Sequence, residues 1–473
     1  MASSLDHSGR RWARPLRGCG VIQDVARFAG FRLIVSLSLA GQMGIASLAL
    51  SEAPSAPTSE EAIARYRQAI EATPRNPNLW IELGEAERSR LHVPDAIAAF
   101  RKALELAPDH ELAQLALAEC YRQLTNFDEA KRLLNAATQA HPKSPAPPLA
   151  LGRVEIQLQK YDEAADALRA ALAIDPENVV ARVYLASVYK ARGEIDPALE
   201  QLDRALARDP DQALALFFRA TIHAEQNDAA RALPDAQRVV ELEPGNTKAR
   251  FLLASILVRE GQCPAGTEQL EKIVAVEPAN TQAVSLLARA YQCAGKSEEA
   301  ARVMKRFAEL AKGDQTKREG GVQADHLVRE ARKLAQEGQP NEALVKLKEA
   351  LDLDPDNDGA YTQLAKIQFS AGRYEIAKGA LERALEHNPY RSDALYVLGR
   401  TRAKLNDYEG AKDALVQTTL VNPKDAEAFY VLAQVYEVLG QRTKGLEALE
   451  TAVALDPENQ GYARSLELAK RQP

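Results

Sequence analysis

Apolar, small and helix-breaking positions recur along this chain with a fixed beat. Pro74, Pro108, Pro142, Pro176, Pro210, Pro244 and Pro278 follow one another at intervals of thirty-four residues, and Pro355, Pro389, Pro423 and Pro457 resume the interval. Proline cannot continue a helix and biases the residue before it away from helical geometry, so each one predicts a helix end and a turn. Twelve residues upstream sits a small side chain, as at Ala96, Ala130, Ala164, Gly266, Ala377 and Gly445. A second small position lies twenty-four residues upstream, as at Gly84, Ala118, Gly152, Ala365 and Gly399. Large residues fill the complementary places: Trp80, Leu83 and Phe100 in one unit, Leu117, Tyr121 and Leu134 in the next. The pattern predicts two close-packed helices per unit, in eleven full units, with a half unit before them from Thr58 to Asn76 and a closing helix from about Asn459.

One interruption breaks the beat. Pro278 and Pro355 are seventy-seven residues apart, two periods plus nine, and Lys312 stands where a proline is due. Residues 313–323, charged and rich in glycine, read as a loop or a helix extension. They divide the chain into an N-terminal array, 54–312, and a C-terminal array, 324–473, and a tolerated loop insertion is the reading preferred here to a hinge. A single hairpin cannot hide its apolar stripe, so the units must stack into a continuous core.

With its W-x2-L-G, A-x3-F, A and P positions, the unit from Pro77 to His110 resembles the tetratricopeptide repeat, and the likeness extends over Thr58 to Pro473. The resemblance implies an all-α fold, a right-handed superhelical solenoid of antiparallel helix pairs. It also implies that the first helix of each pair lines a concave groove that binds a peptide or a helix of another protein. Its groove position 5 falls on Phe217, Phe251, Tyr396 and Tyr430, and position 9 on Arg289, Arg332, Lys366 and Arg400, with Glu85 and Glu119 at the other end. Aromatic and arginine side chains are the usual anchors of interfaces. This ladder favours acidic segments on the C-terminal half. The competing reading is that position 5 packs between first helices and that the bases pair with neighbouring acids. The lysine and asparagine pair by which some members clamp a C-terminal carboxylate is absent from every unit.

The first 53 residues differ from the rest. Six arginines, from Arg10 to Arg32, precede an almost uncharged run, Leu33 to Leu50. This is the order of a signal peptide or a membrane signal-anchor, with a buried helix of a cytoplasmic protein as the alternative. Export is therefore expected, to the periplasm or the exterior, with possible anchoring in the inner membrane through residues 33–50.

Composition adds exclusions. The formal net charge is -6, which argues against nucleic acid as the main partner. The seven histidines are scattered, and no zinc-protease, phosphate-loop or nucleophile-elbow motif occurs. No catalytic, cofactor or metal site is expected. Cys120 reads as a small buried hydrophobe. Cys263 and Cys293 fall in adjacent units near the hairpin rim, where an exported protein could bridge them. The expected function is that of a non-catalytic interaction scaffold or adaptor; a membrane-anchored assembly or secretion factor is the second reading, and a regulatory subunit of an enzyme complex a remote third.

Overall fold

The structure is a computed structural model and describes residues 59–471. The expected signal segment, residues 1–53, lies outside the described residues. Among these the chain is helical between short turns. A lone helix, α1 (Ser59–Ala72), is followed by six hairpins: α2 (Pro77–Ser89) with α3 (Val93–Leu106), α4 (Glu111–Gln123) with α5 (Phe127–Ala140), α6 (Ala146–Gln157) with α7 (Tyr161–Ile174), α8 (Val179–Ala191) with α9 (Ile195–Arg208), α10 (Ala213–Glu225) with α11 (Ala229–Leu242), and α12 (Thr247–Arg259) with α13 (Cys263–Val276). Next come α14 (Thr281–Cys293), the long α15 (Ser297–Gln336) and α16 (Pro340–Leu353). Three hairpins follow, α17 (Asp358–Ser370) with α18 (Tyr374–His387), α19 (Ser392–Lys404) with α20 (Tyr408–Val421), and α21 (Ala426–Val438) with α22 (Arg442–Leu455), and α23 (Gln460–Arg471) closes the stack.

Each turn has a local cause. Two residues after the proline, Asn178, Asn246, Asn280 and Asn357 cap the next helix, each side-chain oxygen accepting the amide three residues on. At the other turn, seventeen residues before the proline position, one residue per unit takes the left-handed conformation. Gly193, Gly261, Gly295, Gly338, Gly372 and Gly440 do so with φ between 70° and 80°. In the remaining units the residue is Leu91, Thr125, Gln159, Asn227 or Asn406, with φ between 58° and 64°. The amide that follows closes back onto the helix, as where His92 N–H donates to the Glu87 carbonyl at 3.0 Å. A β-branched residue is the least suited to this conformation, so Thr125→Gly is expected to stabilise the array by about 0.5–1 kcal/mol in a urea titration.

Within a hairpin the two small columns set how closely the helices approach. A Cβ added at Gly84 would lie 2.5 Å from the Phe100 ring, and one at Gly399 2.5 Å from Leu415 Cγ. Between hairpins, neighbouring first helices come close to one another while second helices approach less closely, so the first helices line the inner side of the curve. The arms also meet. Leu420 is buried in the same apolar cluster as Ile97 and Phe100. The Tyr390 hydroxyl donates to the Leu91 carbonyl, Asn126 Nδ2 to that of Val421 at 3.4 Å, and Lys424 Nζ lies 3.5 Å from Glu129 Oε1.

The insertion does not form a loop. Residues 313–323 lie inside α15, which serves as the second helix of one unit and then, without a break, as the first helix of the next. Helix propagation explains this: Asp314 to Glu319 are compatible with a helix, and packed helical segments on either side remove the cost of nucleation. Gly320 eases the approach of α16, since a Cβ there would meet the Leu353 carbonyl at 3.0 Å.

Because α15 runs on unbroken, the eighth unit's first helix continues the seventh unit's second helix instead of packing against it. The consequence shows in one column. Eight residues before the proline position, Phe100, Leu134, Leu168, Leu202, Ala236, Leu270, Leu347, Leu381, Leu415 and Leu449 are all exposed by 8% or less, whereas Met304 is exposed by 45%. The eighth unit has the matching gap. Where other units bury Ala283 or Ala360, and Ala290 or Ile367, it places His326 and Lys333, both exposed.

Candidate functional site

The groove side chains sit on the inner row of first helices: Phe217 on α10, Phe251 on α12, Arg289 on α14, Arg332 on α15, Lys366 on α17, Tyr396 and Arg400 on α19, and Tyr430 on α21. The four aromatic residues are half-buried, each packed against a core cluster on one side and open on the other. They act as wedges between first helices as well as groove surface. The Phe217 ring meets Phe218 edge-on at 6.1 Å. The Tyr430 ring packs on that of Tyr462 in the closing helix at 4.7 Å and a tilt of 34°, so α23 covers the last groove position.

The basic residues do not act as one ladder. Lys366 Nζ is 2.8 Å from Asp393 Oδ2, and Arg391 holds the same carboxylate from the other side at 2.9 Å. Burial opposes charge on Asp393, but these two cations outweigh it and keep its carboxyl below the usual range. Arg289 and Arg332 lie on different helices on either side of the break and are both exposed. Arg400 is held by rings: its guanidinium carbon lies 4.9 Å from the centre of Phe369 and 5.5 Å from that of Tyr396. The Tyr396 hydroxyl donates to Glu427 Oε1 at 2.6 Å, and burial together with that bond pushes its pKa up, so the phenol stays protonated.

Acids at the other end are likewise neutralised locally. Arg88 bonds Glu85 at 2.5 Å, Arg122 bonds Glu119 at 2.6 Å, and Arg153 approaches Glu119 at 3.5 Å. Burial works against the Glu119 anion, yet Arg122, Arg153 and Arg88 together hold its carboxyl below the ordinary value. The two ends of the groove thus differ less in net field than the sequence implied.

Phe369 was not singled out from sequence. It follows Lys366 by three residues and so shares a helix face with it, which is the signal that could have located it. A second cluster also went unread: donor atoms of Glu87, His92 and Asp95 converge within 4.8 Å. Arg67 already bonds the buried Glu87 carboxylate at 2.8 Å and so supplies its positive partner. Cys263, at the start of α13, and Cys293, at the end of α14, are joined by a disulfide with 5.8 Å between their Cα atoms. It links one unit's second helix to the first helix of the next. Cys120 is buried, and burial pushes its thiol far above the ordinary range, leaving it protonated and inert. No helix among the described residues is long and apolar enough to cross a membrane; residues 33–50 lie outside them.

No curated protein sequence matches the chain. Among solved structures it is similar to the MamA protein, 22% identical over 36% of this chain and 92% of that one with a TM-score of 0.33. It is also similar to the Cut9-Hcn1 hetero-tetramer of the APC/C, 15% identical over 87% and 93% with a TM-score of 0.30. A third is a thermophilic protein of the same repeat type from Thermus thermophilus, 20% identical over 39% and 100% with a TM-score of 0.35. Models described as tetratricopeptide repeat match residues 59–111, 93–151, 155–219, 283–318, 334–381, 370–435 and 426–459. With the same spacing of small columns and left-handed turns running through all of these stretches, the chain belongs to the tetratricopeptide repeat family and is a protein–protein interaction scaffold.

Proposed function

We propose that this scaffold is non-catalytic and holds an extended peptide or a helix of another protein along its first helices, with the strongest anchor around Arg400. The observation that carries this reading is the ring-held guanidinium. Phe369 and Tyr396 fix Arg400 in place, and no carboxylate partner meets it among the described residues. A pre-oriented cation beside half-buried aromatic rings offers an incoming acidic or aromatic side chain an anchor at little entropic cost. Acidic segments are favoured on the C-terminal half through Arg332 and Arg400; Lys366, already neutralised by Asp393, contributes less. We further infer that the protein works outside the cytoplasm, a reading supported by the arginine-flanked run Leu33 to Leu50 and by the Cys263–Cys293 pair, since disulfides persist in oxidising compartments.

The test is panning of a displayed peptide library on the full chain, followed by titration of the selected peptides. Arg400→Glu is expected to weaken them by about tenfold or more, while Arg383→Glu, on an outer helix, leaves them unchanged. Peptides that bind the Arg400→Glu variant as well as the native chain would remove the groove anchor.

A further inference from the structure

The break in the stack leaves one face of α15 without a neighbour. The 3.6-residue period puts Ala301, Met304 and Ala308 of its first half on the same side as Arg318, Arg329 and Lys333 of its second half, and all six are exposed. In the first half these are positions that every other unit covers with its neighbour's first helix, as Met304 shows against its ten counterparts. In the second half, His326, Arg329 and Lys333 stand where other units cover small or apolar side chains, and Arg318 belongs to the insertion that joins the halves. The face is therefore apolar at one end and mainly basic at the other, with Val322 exposed between them and Lys333 3.8 Å from Glu337 of its own helix, over about 48 Å of helix at 1.5 Å per residue.

We propose that this face is a docking site for an amphipathic helix of another protein, apolar where it meets Met304 and acidic where it meets Arg318, Arg329 and Lys333. Charge selects the occupant. The second half of α15 cannot fold back onto the first, because that would bury His326, Arg329 and Lys333. A second copy is disfavoured as well: two α15 helices laid antiparallel would cross near Arg318 and bring it against its counterpart, and a parallel pair would oppose all three cations. The chain's own first 53 residues, with six arginines against Asp6, Asp24 and Glu52, carry the wrong sign. An acidic helix satisfies both halves, burying Met304 as its counterparts are buried and pairing the cations. The site is separate from the groove, which lies on the inner side of the first helices.

The test uses the full chain and a labelled, designed helical peptide of about thirty residues, long enough to follow the face. Leucines occupy one half of one side of this peptide and glutamates the same side of the other half; a twin carries lysine for glutamate. By fluorescence polarisation the glutamate peptide is expected to bind about tenfold or more tighter than its twin and to weaken with added salt. Met304→Glu, and separately Arg329→Glu with Lys333→Glu, are each expected to cost about tenfold, while Arg400→Glu in the groove leaves binding intact. Equal binding of the twins, glutamate-peptide binding that survives both α15 variants, or its loss in Arg400→Glu would overturn the proposal. So would self-association of the native chain in sedimentation that Met304→Glu abolishes, because a second copy would then occupy the face.

Discussion

Leu270→Ala is expected to destabilise the N-terminal array by roughly 2–5 kcal/mol, whereas Met304→Ala, the same repeat position one unit later, should cost less than about 1 kcal/mol. Leu270 is fully enclosed between its own unit's first helix and the next, so truncation removes its transfer energy and leaves a cavity. Met304 has water on the side where a first helix would lie, and little of its surface is there to be lost. Urea unfolding monitored by circular dichroism measures both, with midpoints rather than fitted free energies compared, because a long repeat array need not unfold in one step. Similar losses in the two variants would mean that Met304 is covered in solution and that α15 is broken where the structure continues it. Equal and small losses would mean that the seventh unit is already loose.

Removing the Cys263–Cys293 bridge is the second large effect. The bridge closes a loop with a sequence separation of 30. In the chain-entropy description a loop of that size is worth roughly 3–4 kcal/mol against the unfolded chain. The loss is expected to stay local. Along the stack each unit packs on its neighbours, the contacts between the arms fall on the first two hairpins and not on the bridged units, and the exposed middle of α15 separates the arms, so Cys293→Ser should accelerate amide exchange in α12, α13 and α14 and leave α17 to α22 unchanged. Exchange followed by mass spectrometry reads the two regions separately. Acceleration reaching α17 to α22 would show that the arms stabilise one another through the contacts of Tyr390 and Lys424, and no acceleration anywhere would remove the staple from the account of stability.

Much of this was legible in the chain itself. The proline interval placed each second turn, and the small columns placed the helix contacts, because both depend on local backbone geometry and on side-chain size at a fixed spacing. The glycine column at Gly193, Gly261, Gly295, Gly338, Gly372 and Gly440 was equally available and marks the other turn. The change at Ala283 to His326 and Ala290 to Lys333 was available too. Compared column by column, it shows that the eighth unit has no helix before it to bury those positions. The groove was legible only as a row of positions. Which of its cations is spent on a neighbour depended on rotamers and on what lies across the turn: Lys366 reaches Asp393 in the next unit, and Arg400 settles between Phe369 and Tyr396.

The sequence by itself determined the unit, its period, its caps and its stacked core, since these follow from how residues within a few turns of one another can bond and pack. Only the tertiary structure decided that residues 313–323 continue a helix, because a glycine-bearing charged stretch can end a helix or extend one, and the packing of α14 and α16 on its two flanks makes extension the stable outcome. Only the tertiary structure decided, too, that the arms meet at Leu91 and Tyr390, 299 positions apart. That contact depends on small rotations accumulated over many hairpins and on the direction α15 imposes, quantities that no thirty-four-residue period encodes.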